Sequence, residues 1–293
     1  MHQRLELPAL AAGFADSSSG LMTAVSPSKE FRLAVHPTAI VSADAEIAST
    51  VEIGPYCVIE GEVVIGADTV IESHARIGSA YGKVQIGTKN LIQCGAVLGG
   101  PAQDYSFADD KTELVIGNQN RIGEYVSISL GTAKGGGTTR VADDCFLMAY
   151  SHLGHDCQIA DHVVITNGAQ LAGHITVEHH ALLSGLVGIT QFVRIGAYSF
   201  LVAGAFANKD ILPYTIAEGH WATPKAVNRV GLKRAGFGPA ERKNVEKAVR
   251  LVLNRSATID EVDKRIRDEC ELDDAVQHLL SFMAASDRGV ARG

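Results

Sequence analysis

Several features that would assign this chain of 293 residues to a common class are missing. No apolar run approaches the roughly 20 residues needed to cross a bilayer, so we expect no integral membrane contact. The formal net charge is −7 and the pI is about 5.9, which gives no reason to expect nucleic acid as a partner. The five cysteines form no CxxC pair and show no metal-ligand spacing, and such free thiols fit a reducing cytoplasm.

The first residues are not expected to form an export signal. Glu6 and Pro8 interrupt the apolar stretch that a signal peptide needs, and a Ser-Ser-Ser-Gly sequence follows at Ser17 to Gly20. We therefore predict that residues 1–32 are a flexible N-terminal extension.

An aliphatic residue recurs every six positions over most of the chain. The two runs are Val141, Leu147, Leu153, Ile159, Ile165, Leu171, Val177, Leu183, Ile189, Ile195 and Leu201, and Val35, Val41, Ile47, Ile53, Ile59, Ile65, Ile71 and Ile77. Neither the 3.6-residue period of a helix nor the two-residue period of a strand produces this spacing. A six-residue repeat predicts a parallel β-helix, in which three repeats make one coil of 18 residues.

The fifth position of each repeat is filled by small or β-branched residues, as an inward-facing corner requires. Cys57, Cys145 and Cys157 occupy this position. Because a free cysteine packs like a small apolar residue, we expect these three to be buried fillers of the core.

Two segments depart from the repeat and predict loops, 99–115 and 129–140. Insertions in a solenoid often leave on its binding face. The second segment contains Gly135-Gly136-Gly137, which could suggest a phosphate cradle but lacks the Lys-Ser/Thr of a P-loop. A plain flexible loop is the favoured interpretation.

Helical signals follow the repeat. They predict helices over 239–255, from the capping box of Thr258 and Glu261 to about 269, and over 272–285. We expect these helices to cover the end of the β-helix and to pack on a neighbouring subunit. The predicted domains are the extension 1–32, a β-helix over 33–207 and a helical domain over 208–293.

Stacking of successive coils predicts a polar site. Residues 18 apart lie about 4.8 Å from each other on adjacent coils, so His155 stacks below Gly173 and then Gln191, while Asp156 stacks below His174. A histidine held by a carboxylate can act as a general base, and a glycine N–H one coil away can stabilise an oxyanion. The alternative is that these histidines decorate a solvated face.

Several motifs resemble one family. HPTAIV at His36–Val41, HxxHDC at His152–Cys157, LAGH at Leu171–His174 and GLKRAGF at Gly231–Phe237 are similar to those of UDP-N-acetylglucosamine acyltransferase, the first enzyme of lipid A assembly. The resemblance covers roughly residues 33–290. It implies a left-handed parallel β-helix that assembles as a homotrimer with active sites between subunits, and it implies no metal or organic cofactor.

The resemblance also implies a role for each matching residue. His155 would be the general base that deprotonates the sugar 3-hydroxyl (or a 3-amine), Asp156 would orient it, and the N–H of Gly173 would hold the oxyanion. The acyl donor would be a 3-hydroxyacyl thioester of acyl carrier protein, and the acceptor a UDP-amino sugar. The residues implied to hold the substrates are Gln103, Asp104, His152, His174 and Gln191 for the sugar and pantetheine, Asn228 and Arg234 for the nucleotide, and Ala203 for measuring acyl length.

Four positions depart from the family pattern. Ser106 stands where a lysine is usual, Thr190 where a histidine is common, Val230 where an acidic residue is expected and Ala235 where a second arginine is expected. These changes leave the base and the oxyanion donor intact but remove expected contacts to the sugar nucleotide. A paralogue that uses another sugar nucleotide is therefore an alternative.

A local excess of positive charge lies in the C-terminal part, at Lys225, Arg229, Lys233, Arg234, Arg242 and Lys243. Acyl carrier proteins are strongly acidic, so a basic patch beside the cleft would steer their docking. A solvated helix face is the alternative interpretation.

Two further functions compete with acyl transfer. Some β-helix trimers bind Zn²⁺ through histidines of adjacent subunits, and His155, His174 and His179 could form such a set. The chain could also be a non-catalytic binding or scaffolding trimer, as the losses at Ser106, Val230 and Ala235 suggest.

Overall fold

In the computed structural model, which describes residues 34–108 and 111–292, the repeats form a three-sided prism. The predicted N-terminal extension lies outside the described residues. Sheet 1 contains β1 Ile40–Val41, β4 Val58–Glu60, β7 Arg76–Gly78, β10 Val97–Gly100, β13 Ser127–Ser129, β16 His152–Leu153, β19 Gln170–Leu171, β22 Gly188–Ile189 and β25 Phe206–Ala207. Sheet 2 contains β2 Glu46–Ile47, β5 Val63–Ile65, β8 Gly82–Ile86, β11 Thr112–Ile116, β14 Thr138–Val141, β17 Gln158–Ile159, β20 Thr176–Val177 and β23 Arg194–Ile195. Sheet 3 contains β3 Glu52–Ile53, β6 Val70–Ile71, β9 Leu91–Ile92, β12 Arg121–Ile122, β15 Phe146–Leu147, β18 Val164–Ile165, β21 Leu182–Leu183, β24 Phe200–Leu201, β26 Thr215–Glu218 and β27 Thr223–Val227.

Strands on each side pair in parallel with the coils before and after them. On sheet 1, His152 pairs with Gln170, and Gln170 pairs with Gly188. The 18-residue register is thus the one that the sequence predicted, and the parallel β-helix with C-terminal helices is confirmed. The final pair is an exception, because β27 runs antiparallel to β26.

The aliphatic residues that open each repeat point into the prism. Leu153, Ile165 and Leu171 are fully buried, and so is the predicted inward corner residue Cys157. Cys57, Cys145 and Cys157 are free and buried, as expected. Burial raises the pKa of the Cys145 and Cys157 thiols to about 12, so both remain neutral packing groups at physiological pH.

Each corner of the prism is turned by a residue with a left-handed backbone. Asp156, His174 and Phe192 stack along the corner between sheets 1 and 2, with φ of 61°, 61° and 65°. Residues other than glycine rarely adopt this backbone conformation. Along the corner between sheets 1 and 2 it projects one side chain from each of these successive coils, which places polar and aromatic groups in a column.

Four α-helices follow the prism: α1 Arg229–Arg234, α2 Pro239–Leu253, α3 Ile259–Glu269 and α4 Asp274–Ala284. The capping box is confirmed, because Thr258 Oγ1 accepts a hydrogen bond from the Glu261 amide at 3.2 Å. The observed ends of α2, α3 and α4 lie within two residues of the predicted ends, so these three helices are confirmed. The short helix α1 had not been predicted.

The helices pack on the last coils through a second apolar cluster that joins Leu212 and Tyr214 to residues of α2, α3 and α4. Arg194 of the prism lies over the ring of Phe282, 4.3 Å from its centroid. Strand β26 still pairs in parallel with β24, so coil geometry persists beyond residue 207. The domain boundaries stay a prediction. Across the described ranges, none of the helices has the length and apolar character to cross a membrane.

A column of aromatic rings lies at the corner between sheets 2 and 3. His162 stacks on His180 with centroids 4.6 Å apart, and His180 stacks on Tyr198 at 4.8 Å. Burial, followed by the neighbouring His162 and His179, lowers the pKa of His180 to about 4. The imidazole of His180 therefore resists protonation in the folded state.

We expect acid to destabilise the protein partly through His180. In the unfolded chain this imidazole is protonated below about pH 6.5, whereas in the folded protein it is protonated only below about pH 4. The free energy of unfolding therefore decreases as the pH falls through this window. His180→Phe keeps a stacking ring that cannot titrate. Its unfolding temperature should fall less than that of the parent between pH 7 and pH 5, and an equal fall in both proteins would contradict this account.

Candidate active site

A groove with a volume of about 440 Å³ runs along sheet 1 at its corner with sheet 2. Five of the predicted site residues line it: Gln103, His152, His155, Gly173 and Gln191. They come from three successive coils and from the first loop. The stacking argument thus predicted that His155, Gly173 and Gln191 lie together, and their functional roles stay predictions.

A hydrogen-bonded pair of His155 and Asp156 lies in the wall of the groove. The imidazole Nδ1 is 2.8 Å from Asp156 Oδ2, and both side chains are almost completely buried. With Nδ1 on the carboxylate, Nε2 is the ring nitrogen left to exchange a proton with a substrate. The pair therefore has the arrangement of a general base and its orienting carboxylate.

Gly173 lies directly against the ring of His155. A Cβ atom at residue 173 would be 2.4 Å from His155 Cε1 and 2.5 Å from Nε2. The amide of Gly173 donates to no acceptor in residues 34–108 and 111–292. An unused N–H beside the basic nitrogen is suitably placed to receive negative charge on a reacting carbonyl.

His174 completes this corner of the site. Its Nδ1 is 3.6 Å from Asp156 Oδ2, and its ring stacks on Phe192 with centroids 4.4 Å apart. Burial is the largest effect on the pKa of His174 and lowers it, although the charge of Asp156 acts in the opposite direction. Near neutral pH the imidazole is therefore an uncharged hydrogen-bonding group.

His152 is held by a residue of the previous coil. Its Nδ1 is 2.7 Å from Ser127 Oγ. Burial lowers the pKa of His152, with a smaller contribution from His155. The pairing of β13 with β16 puts Ser127 opposite His152, so the repeat could have identified this partner.

The first loop brings Gln103 and Asp104 toward the groove. The Asp104 carboxylate accepts hydrogen bonds from the amide of Ser106 at 2.8 Å and from its hydroxyl at 3.1 Å. The hydrogen bond from the Ser106 amide is the main reason that the pKa of Asp104 is lowered, and His155 contributes as a nearby charge. Where relatives would offer a lysine, Ser106 thus closes a local turn on Asp104.

Three predicted residues lie away from the groove. Asn228 caps helix α1, accepting from the Gly231 amide at 3.0 Å and donating to the carbonyl of Tyr198 at 2.9 Å. Arg234 lies exposed at the end of the same helix. Ala203 is exposed at the corner between sheets 3 and 1, and the groove formed by the described chain does not include it. Their roles stay predictions.

His155, Asp156 and His174 are also the residues that could hold a metal ion. One ligand atom from each lies within 4.8 Å of the others, and no other such group occurs among the described residues. Within one chain His179 does not join His155 and His174, because it packs edge-on against Tyr198 at another corner; a set of these histidines shared between adjacent subunits stays a prediction. The register explains this separation, since residue 179 lies six positions after Gly173 and so on the next side of the prism.

The sequence argument missed the residues that hold Asp156. Thr132 contacts the carboxylate with its amide at 2.8 Å and its hydroxyl at 2.7 Å. Gly135 packs against the same carboxyl group. The prediction of a plain loop was therefore wrong in one respect: part of the loop contacts the carboxylate of Asp156, the partner of the candidate general base His155. A run of three glycines beside a threonine was the available signal.

Comparison with known families gives matches in both parts of the chain. Residues 37–79 and 138–173 match the family described as bacterial transferase hexapeptide (six repeats). Residues 210–291 match domain 2 of UDP N-acetylglucosamine O-acyltransferase.

Curated relatives extend over nearly the whole chain. An acyl-[acyl-carrier-protein]–UDP-N-acetylglucosamine O-acyltransferase from Paraburkholderia xenovorans is 40% identical, over 88% of this chain and 99% of the relative. One of the same name from Xanthomonas campestris is 38% identical, over 88% of this chain and 97% of its own length.

Solved structures agree in their fold. The UDP-N-acetylglucosamine acyltransferase of Francisella novicida has a TM-score of 0.84 at 35% identity and is matched over 88% of this chain and 94% of its own. A structure from Acinetobacter baumannii has a TM-score of 0.85 at 33% identity, over 88% of this chain and all of its own. The prism is accordingly a left-handed parallel β-helix.

Proposed function

The chain belongs to the UDP-N-acetylglucosamine O-acyltransferase family, and from this premise we propose that it transfers a 3-hydroxyacyl chain from acyl carrier protein to the 3-hydroxyl of UDP-N-acetylglucosamine, the first step of lipid A biosynthesis. It is an acyltransferase. The observation that carries the proposal is the His155–Asp156 pair in the groove, with the free amide of Gly173 against the imidazole.

The chemistry follows from these three groups. His155 Nε2 removes the proton of the sugar 3-hydroxyl as the oxygen attacks the thioester carbonyl. The tetrahedral intermediate carries its negative charge on the former carbonyl oxygen, where the N–H of Gly173 stabilises it. Collapse breaks the C–S bond, and the imidazolium returns its proton to the departing pantetheine thiolate. The thioester supplies the activation.

The neighbouring histidines support this role. Since burial lowers the pKa of both His152 and His174, neither places a permanent positive charge beside His155 near neutral pH. A cation there would oppose protonation of the base during the reaction. We propose that both bind the sugar and pantetheine, together with Gln103, Asp104 and Gln191.

We propose that the working form is a homotrimer. Asn228, Arg234 and Ala203 lie away from the groove of their own chain. A neighbouring subunit is therefore the source that would supply the predicted nucleotide contacts and the acyl-length residue. The corner between sheets 3 and 1 exposes apolar side chains suited to such an interface, namely Tyr56, Tyr125, Tyr150 and Leu186. Light scattering should give three times the chain mass of 31.0 kDa.

Acyl carrier protein is the proposed donor and docks by charge. Three exposed lysines lie close together in sequence: Lys225 on β27, Lys233 on α1 and Lys243 on α2. Arg229 of the same cluster is paired with Glu246, with its Nε 3.0 Å from Oε2, so its charge is partly offset. Such a basic surface attracts an acidic carrier. We place the reaction in the cytoplasm, consistent with the free cysteines.

The direct test supplies the purified chain with UDP-N-acetylglucosamine and acyl carrier proteins loaded with 3-hydroxyacyl chains of several lengths. Mass spectrometry should detect one added acyl group, and fragmentation should place it on the 3-oxygen. Unloaded carrier and other UDP-sugars serve as controls. Folded protein that forms no acylated UDP-N-acetylglucosamine from any loaded carrier would contradict the proposal.

A further inference from the structure

The carboxylate of Asp156 is held from two sides. On one side, its Oδ2 lies 2.8 Å from His155 Nδ1. On the other, Thr132 donates its amide to Oδ1 at 2.8 Å and its hydroxyl to Oδ2 at 2.7 Å. The backbone amide of Asp156 donates to Thr139 Oγ1 at 2.8 Å. Thr132 belongs to the segment that leaves the repeat before Asp156, and Thr139 lies on β14, where the chain has rejoined sheet 2.

The shape of this segment depends on its glycines. Thr132 caps a single 3-10 turn, Ala133–Gly135, and its hydroxyl accepts from the Gly135 amide at 3.1 Å. Gly136 and Gly137 then adopt φ of 96° and 83°, which returns the chain so that the Gly137 amide donates to the carbonyl of Thr132 at 2.8 Å. Glycine reaches these angles without steric cost.

Gly135 is also required for space. A Cβ atom at this position would lie 2.2 Å from both Cγ and Oδ2 of Asp156. The turn can therefore approach the carboxylate only because residue 135 has no side chain. Gly135 is thus required for close approach, and Gly136 and Gly137 for their backbone angles; neither reason involves a phosphate.

We propose that the turn at residues 131–137, acting through Thr132, is a positioning element that fixes the two oxygens of Asp156 so that Oδ2 faces His155 Nδ1. The proposal rests on the acyl-transfer function proposed above. Thr132 does not line the groove, and its side-chain hydroxyl contacts Asp156, through which it acts. Without its hydroxyl the carboxylate keeps one bond to the Thr132 amide and can rotate away from the imidazole, so the base loses its fixed direction.

The decisive variant is Thr132→Val, which keeps the shape and the backbone N–H but removes the hydroxyl. Loss of a hydrogen bond to a charged group should lower kcat by about 10- to 100-fold and leave KM nearly unchanged. Thr132→Ser should restore most of kcat, and Gly135→Ala should lower it because the added methyl group meets the carboxylate. Thr138→Val is the matched control, since Thr138 pairs with Glu113 in the sheet.

Two readouts separate this proposal from the function on which it rests. If the parent transfers acyl groups and Thr132→Val retains its kcat, the positioning role is refuted while the function stands. If the parent shows no transfer, a crystal structure of Thr132→Val decides. A carboxylate still within hydrogen-bond distance of His155 Nδ1 at the parent angle would overturn the proposal, and a rotated carboxylate would support it.

Discussion

The His155→Ala variant is expected to fold like the parent and to lose nearly all acyl transfer. General base catalysis contributes typically 10²–10⁴-fold, so kcat should fall by about that factor. KM for the sugar nucleotide should change little, because Nε2 acts on the proton in the transition state. Single-turnover kinetics with loaded acyl carrier protein would measure the decrease in the chemical step directly.

A matched histidine controls for general damage. His162 turns the next corner, between sheets 2 and 3, where it stacks on His180 and does not line the groove. His162→Ala should therefore retain kcat. His155→Ala with parental turnover and an unchanged unfolding temperature would show that another group is the base.

The second large effect is expected from Gly173→Ala. The added methyl carbon would begin 2.4 Å from His155 Cε1, so the imidazole has to move. A displacement of about 1 Å at a reacting group can cost about 100-fold in rate, and we expect a fall in kcat of at least that order. The backbone N–H remains, so the effect would report on the position of the base.

A double-variant cycle makes this interpretation specific. In the His155→Ala background the imidazole is gone, and Gly173→Ala should have little further effect on the residual rate. Gly100→Ala is the control, because a Cβ at residue 100 meets no atom within 4 Å. Independent, multiplicative losses in the double variant would mean that Gly173 acts without crowding His155.

The repeat alone was enough to predict most of the architecture. A six-residue period is satisfied by a coil that turns the repeated aliphatic residues inward, as the buried side chains of Leu153 and Leu171 show. The same period determines which residues stack. This is why His155, Gly173 and Gln191 could be brought to one groove before any coordinate was known. The capping box at Thr258 depends on residues only three positions apart and could likewise be predicted from the sequence.

The sequence argument was incomplete where the register was not applied or where it ended. His179 was grouped with His155 and His174 without regard to its position in the repeat, which places it on another side of the same prism. Helix α1, with Asn228 as its cap, was missed because it follows an antiparallel hairpin of β26 and β27 that carries no six-residue signal.

The sequence by itself therefore determined the coil, its core and the alignment of the base with the glycine amide, because repeating apolar spacing translates directly into stacking. Only the tertiary structure decided what supports Asp156. Thr132 lies 24 residues before it, in a turn without periodicity, and the contact forms because the glycines let that turn fold back onto the next coil. Contacts made by irregular segments depend on backbone angles and close approach, which a repeat pattern does not encode.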